Sequence, residues 1–192
     1  MKAIAICGSP RNNGNTEILL KRCLSKLSES SIGTELIPLR GKDIRGCTAC
    51  GSCRERKDGT CAIKNDDFHE VFDKMKSADI IVVGSPVYYG SATPEMMALL
   101  DRAGYVSRTG GFDYFSRKLG GPVVVARRAG HNFTFAQLLY WFLINDMIVP
   151  GSTYWNIGFG RVPGEVESDD EALATVDRFA ENLAWLALSL NT

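Results

Sequence analysis

The chain has 192 residues, 45% of them hydrophobic, with 22 basic and 22 acidic side chains in balance. That length suits one α/β domain, residues 1–192, with enough chain for a sizeable core. The even charge offers no footprint for nucleic acid or an anionic membrane surface, and no apolar run approaches the ~18 residues of a membrane span.

The chain opens with Lys2-Ala3-Ile4-Ala5-Ile6-Cys7, an apolar run of strand length and too short for a secretory signal core. The expected compartment is therefore the cytoplasm, where the six cysteines are expected as thiols or metal ligands rather than disulfides. Next comes Gly8-Ser9-Pro10-Arg11-Asn12-Asn13-Gly14-Asn15-Thr16, followed by apolar residues at helical spacing to about position 28. A strand, a tight loop and a helix start bring free backbone N–H groups to one point, with partial positive charge from the helix end. Ser9, Asn13, Asn15 and Thr16 add short side chains and Arg11 adds a guanidinium, which together suit a phosphate monoester. The plainer alternative is an ordinary turn, rich in Gly and Asn for turn reasons. Neither G-x-x-x-x-G-K-[ST] nor G-x-G-x-x-G occurs here, so neither Mg-nucleotide nor dinucleotide binding is indicated.

The alternation over 34–39 predicts a second strand, and Pro38 assigns it to the sheet edge. Residues 41–64 show no periodicity and hold four of the six cysteines. A helix is expected to about residue 76, with Asp67 and Glu70 as a capping pair. The β-branched run 79–84 predicts a buried central strand opening into Ser85-Pro86-Val87-Tyr88-Tyr89-Gly90-Ser91. Thr93 and Pro94 then start a helix to about Gly104, and an irregular crossing is expected over 106–119. Strand four is expected at 122–126, ending at Arg127-Arg128. The helix over 133–146 is apolar almost all round and is expected deep in the core or at a subunit contact. Strand five is expected over 148–157, and Ser168 with Glu171 has capping-box spacing for the last helix. Five strands alternating with helices predict a parallel sheet covered on both faces, with its ligand outside the carboxyl ends where strand order reverses.

Gly8-Ser9-Pro10-Arg11 with Gly14-Asn15-Thr16, followed by Gly84-Ser85-Pro86-Val87-Tyr88-Tyr89-Gly90-Ser91, resembles the flavodoxin-like NADPH-dependent FMN reductases. The loop Cys47-x2-Cys50-x2-Cys53-x7-Cys61 is similar to that of the iron–sulfur flavoproteins within that group. The resemblance implies a flavodoxin-like three-layer fold with a five-stranded parallel sheet. It assigns the FMN phosphate to Ser9, Arg11, Asn13, Asn15 and Thr16. Pro86, Val87, Tyr88, Tyr89 and Gly90 would lie along the isoalloxazine, with Tyr88 or Tyr89 stacking on the ring or touching the ribityl chain. Arg127 falls where relatives often have a glycine-rich turn, and an arginine near flavin N1 and O2 would raise the reduction potential. A surface Arg pair is the bland alternative. His131 is expected to cap or face solvent, and His69 sits in an expected exposed helix with no role.

Two-residue spacings let Cys47, Cys50 and Cys53 converge, with Cys61 returning after a seven-residue excursion. Four thiolates suit a [4Fe–4S] cluster, and they also suit structural zinc, or, with no metal, a reducible disulfide or a plain thiol-rich lid. Arg54, Arg56 and Lys57 within the excursion would offset cluster charge, or simply be solvated. Cys7 and Cys23 read as small buried hydrophobes.

The resemblance thus implies an FMN-dependent oxidoreductase using NAD(P)H or a redox protein, with flavin, quinone or a redox partner as acceptor. A pure electron carrier of the flavodoxin kind, or a thiol or metal sensor, is the rival expectation. No protein acid or base is assigned. The aromatic surface of the helix over 133–146 and of the crossing over 106–119 predicts a homodimer or homotetramer with FMN near the interface.

Overall fold

A computed structural model describes residues 1–190. In chain order the elements are β1 (Lys2–Cys7), α1 (Asn15–Glu29), β2 (Gly33–Pro38), α2 (Ser52–Arg56), α3 (Phe68–Ser77) and β3 (Ile80–Pro86). They continue with α4 (Pro94–Gly110), β4 (Leu119–Ala126), α5 (His131–Ile144), β5 (Ile157–Phe159), a 3-10 turn (Glu165–Ser168) and α6 (Asp170–Leu190). The strands stand in the order β2-β1-β3-β4-β5 and every pairing is parallel. This is the flavodoxin-like three-layer arrangement, with β2 and its Pro38 at one edge.

Alternation within the strands builds two cores. Ala3, Ala5 and Cys7 of β1, with Ile80 and Val82 of β3, pack under α1 and α6. Ile4, Ile6, Ile81 and Val83 face the other way, against α3, α4 and α5. Because both faces are covered, these strands are apolar along their length rather than half polar. The topology also fixes the reversal point. The chain leaves β1 for the edge at β2, then returns across β1 to β3, so a crevice opens above the β1–β3 boundary.

Several local expectations are corrected. Helix α4 does not stop near Gly104 but runs to Gly110, because its buried stripe continues through Ala103, Val106 and Ser107. Gly104 sits inside the helix where a Cβ would approach Trp141 Nε1 to 3.0 Å, and left-handed Gly111 (φ 73) ends it. Strand five is short: Ile148 makes only an isolated bridge to Leu119, and the chain rejoins the sheet at Asn156, whose carbonyl accepts from Val124 at 2.9 Å. Asp67 precedes α3 but makes no cap bond; its carboxylate accepts the Asp43 N–H at 2.7 Å, and Glu70 pairs with Lys42. Asp169 rather than Ser168 holds the start of α6, accepting from Ala172 at 3.1 Å and from Phe159 at 2.9 Å.

Helix α5 is not core on all sides. Thr134, Leu138, Trp141 and Phe142 are buried, whereas Phe133, Tyr140, Leu143 and Ile144 are exposed. The cysteine connection also contains the short helix α2, bounded by Gly51 (φ 76) and Lys57 (φ 51).

Candidate functional site

The loop after β1 is built against the end of β3. The Gly8 N–H donates to the Gly84 carbonyl at 2.8 Å, and a Cβ on Gly8 would meet Thr93 Oγ1 at 2.7 Å. Only glycine permits that approach. Ser9 Oγ then accepts the Arg11 N–H at 3.2 Å, and the turn closes through left-handed Asn13 (φ 48). Helix α1 begins with Gly14 as its N-cap and no side-chain cap, so the first-turn N–H groups of Asn15, Thr16 and Glu17 are left for an external acceptor.

Beneath this loop lies Glu17, buried to 3% exposure. Its carboxylate accepts from the Asn13 N–H at 3.2 Å, from Arg40 at 2.9 Å and from Lys21 at 2.8 Å. Burial alone would push the carboxyl up, but the hydrogen bonds from Lys21 and Arg40 hold it below the ordinary carboxylate range. Arg40 also reaches the Arg11 carbonyl and, at 3.0 Å, the Asn12 side chain, so one cation fastens the loop from below.

A cleft of about 240 Å³ opens over this loop. Ser9, Arg11, Asn15, Thr16, Pro86, Val87, Tyr88 and Arg127 all line it, so the loops after β1, β3 and β4 do converge. Asn15 lines it by position, but its side chain is committed elsewhere: it donates to the Val162 carbonyl at 2.9 Å and accepts from Gly164 at 2.9 Å. Asn13 Oδ1 accepts from Lys21 at 2.8 Å, and Asn13 lies outside the cleft lining. Tyr89 (φ 51) and Gly90 (φ 79) form the tip of a turn closed by the Tyr88–Ser91 bridge and are also outside it.

Sequence reasoning missed the fourth wall. Gly160 and Arg161, just after β5, complete the cleft, and Arg11 donates to the Arg161 carbonyl at 2.7 Å. The glycine-rich run around Gly158, Gly160 and Gly164 was the available signal. Glu17, Arg40 and Gln137 were also missed. Gln137 Oε1 accepts from Ser91 Oγ at 3.0 Å and from the Ala92 N–H at 2.9 Å, and so holds the loop after β3 from α5. Larger hollows of about 390 and 580 Å³ lie toward α5. The first is lined by His131, Asn132, Asp169 and Glu171, and the second is mainly apolar.

Cys47, Cys50, Cys53 and Cys61 line one small hollow together with Ile63, Arg102, Tyr105 and Val106. Among the described residues all six cysteines are free thiols, and no three metal-ligating side chains are gathered into a finished metal site. The donor set nevertheless fits a thiolate-held group, and the left-handed residues Ala49, Gly51 and Lys57 allow tight turns between donors. Cys53 Sγ contacts Thr109 Oγ1 at 3.4 Å, and hydrogen bonding with Ser52 holds the Cys50 thiol below its usual range. His69 is half-buried, not an exposed bystander: its Nε2 accepts the Cys61 N–H at 3.2 Å. Arg56 is spent within the excursion on Asp58 at 2.9 Å and on Thr60. Cys7 and Cys23 are fully buried, and burial pushes their thiols up to about 11 and about 12.

A doubly wound parallel sheet with an uncapped helix start at its reversal point defines a flavodoxin-like protein. Residues 1–161 match the family model for NADPH-dependent FMN reductase, and the chain belongs to that family. An iron–sulfur flavoprotein of Methanocaldococcus jannaschii is 38% identical over 191 residues, covering 96% of this chain and 96% of the relative. An iron–sulfur flavoprotein of Methanosarcina thermophila is 32% identical over 186 residues, covering 95% and 93%. Among solved structures, RosB with bound 8-demethyl-8-formylriboflavin-5'-phosphate aligns at a TM-score of 0.78 with 20% identity, over 100% of this chain and 80% of that one. A flavodoxin from the domain Archaea aligns at 0.62 with 16% identity, over 96% of each chain. At those identities the structural likeness speaks for the fold.

Proposed function

We propose that this protein binds FMN in the 240 Å³ cleft and passes electrons from NAD(P)H or a redox protein to an acceptor such as flavin, quinone or a redox partner. The observation that carries this is the open first turn of α1 facing the cleft, with Ser9 and Thr16 beside it and Glu17 already neutralised from behind. When bound, FMN supplies the hydride and single-electron chemistry. The chain's own work is to bind and orient. Ser9, Thr16 and the first-turn N–H groups take the phosphate, and Arg11 and Arg161 form the rim above it. Pro86, Val87 and Tyr88 give the ring a wall and Arg127 lies at its polar side; Asn13, Asn15, Tyr89 and Gly90 support the loops rather than the ligand.

The four cysteines Cys47, Cys50, Cys53 and Cys61 fit a [4Fe–4S] cluster by number and spacing, and would make this an iron–sulfur flavoprotein. The exposed apolar residues Phe133, Tyr140, Leu143 and Ile144 support a homodimer or homotetramer, which sedimentation at micromolar concentration tests. An absorption spectrum of anaerobically purified protein, with NAD(P)H oxidation measured against a quinone, tests the main reading. Colourless protein that takes up no FMN would refute it. FMN-loaded protein that never turns over NAD(P)H would point instead to an electron carrier.

A further inference from the structure

Arg102 projects from α4 with its side chain fully buried, at 0% exposure. A charge so placed is costly unless paired and hydrogen-bonded. Its guanidinium donates to the Arg45 carbonyl at 3.0 Å and to the Ile63 carbonyl at 3.2 Å. Those residues stand two before Cys47 and two after Cys61, so one planar fork holds both ends of the cysteine segment. The same fork grips both oxygens of Asp66, and its plane lies 4.0 Å over the Phe68 ring. Two observations connect this residue with the hollow. Arg102 lines that hollow beside Cys61 and the other three cysteines, and among the described residues its buried Nε–H has no acceptor.

We propose that Arg102 is the positioning residue of the four-cysteine hollow: it clamps the two ends of the segment and offers N–H donors to the sulfur atoms gathered there. The inference rests on reading the hollow as a cluster site. Arg54, Arg56 and Lys57, the basic residues within the segment, are all exposed, and Arg56 is already occupied by Asp58 and Thr60. A lysine in place of Arg102 would keep the charge but lose the planar fork that spans two carbonyls and a carboxylate. Donors to cluster sulfurs raise the reduction potential, so losing them lowers it.

The test compares wild type with Arg102→Lys and with the double variant Arg102→Met/Asp66→Asn, which leaves no unpaired buried carboxylate. Each protein is titrated with FMN, reconstituted anaerobically with iron and sulfide, and poised electrochemically to read the cluster's potential. The iron-free forms are alkylated to obtain rates at Cys53 and Cys61. The expected result is unchanged FMN affinity, a more negative cluster potential, and at least about tenfold faster alkylation at both cysteines. Unchanged potential and alkylation in both variants would overturn the role. Loss of FMN affinity alongside the other effects would also overturn it, because a general folding defect then explains everything. Wild-type protein that takes up no iron removes the cluster reading alone, and the alkylation rates then support or overturn the clamp by themselves.

Discussion

The loop at 8–16 and the cysteine segment at 46–64 both rise from the carboxyl edge of the sheet, beside neighbouring strands. The first is shaped mainly by its own residues, with Arg40 as a cation from below: Gly8 fits against β3, Ser9 catches Arg11, and Glu17 in the first turn of α1 catches Asn13. The second is held from outside. Arg102 and Thr109 reach it from α4, His69 from α3, and α2 is its only regular element. A phosphate needs only a few oriented N–H groups, which one turn of backbone supplies. A group held by four thiolates needs side chains brought in over a long connection, and such a connection takes its shape from whatever packs beside it.

If the two regions are independent, damage to one should spare the other, and the largest effect should show it. Cys50→Ser should reduce bound iron from about four per chain to none while FMN affinity is unchanged. Joint loss of iron and FMN, measured on the same preparation, would break the comparison.

Next in size is Thr16→Ala, which removes a donor from a charged ligand and should weaken FMN by ~1.5–3 kcal/mol. Riboflavin, lacking the phosphate, should bind both forms alike in a fluorescence titration. Equal weakening of the two flavins would mean that Thr16 does not face the phosphate.

A smaller effect concerns pH. Glu17 is held below its unfolded value of roughly 4.3, so its stabilisation is complete above that value and is lost as pH falls through the folded pKa. In denaturant titrations the stability gap between wild type and Glu17→Gln should be constant from pH 7 down to about 5 and then shrink. A gap that stays constant down to pH 3 would show that the carboxylate does not hold the loop by its charge.

The smallest effect is a matter of contrast within the iron-free protein. Exposed Cys47 and Cys50 should alkylate readily at pH 8, while Cys7 and Cys23, buried with thiols raised to about 11 and about 12, should react only after unfolding. Mass spectrometry of labelled peptides gives the order directly.

The central strands and the turn of the first loop were legible in the sequence. The β-branched run before Gly84 could only be a doubly covered strand, and Gly8 to Thr16 carried both the turn and the helix start in nine consecutive residues. Pro38 marked the edge strand for the same local reason, its missing N–H. Contacts between distant segments were decided by tertiary structure alone. Asn15 looked like a ligand donor until the chain after β5 folded over it and took both ends of its amide. Gly160, Arg161, Arg40 and Gln137 joined the site only because parallel topology sets the ends of non-consecutive strands side by side. Arg102 lay in the helix expected from Thr93 and Pro94 onward, and nothing local distinguished it from a surface cation. Burial made the difference: an arginine out of water has to find partners, and those it found are the two ends of the cysteine segment.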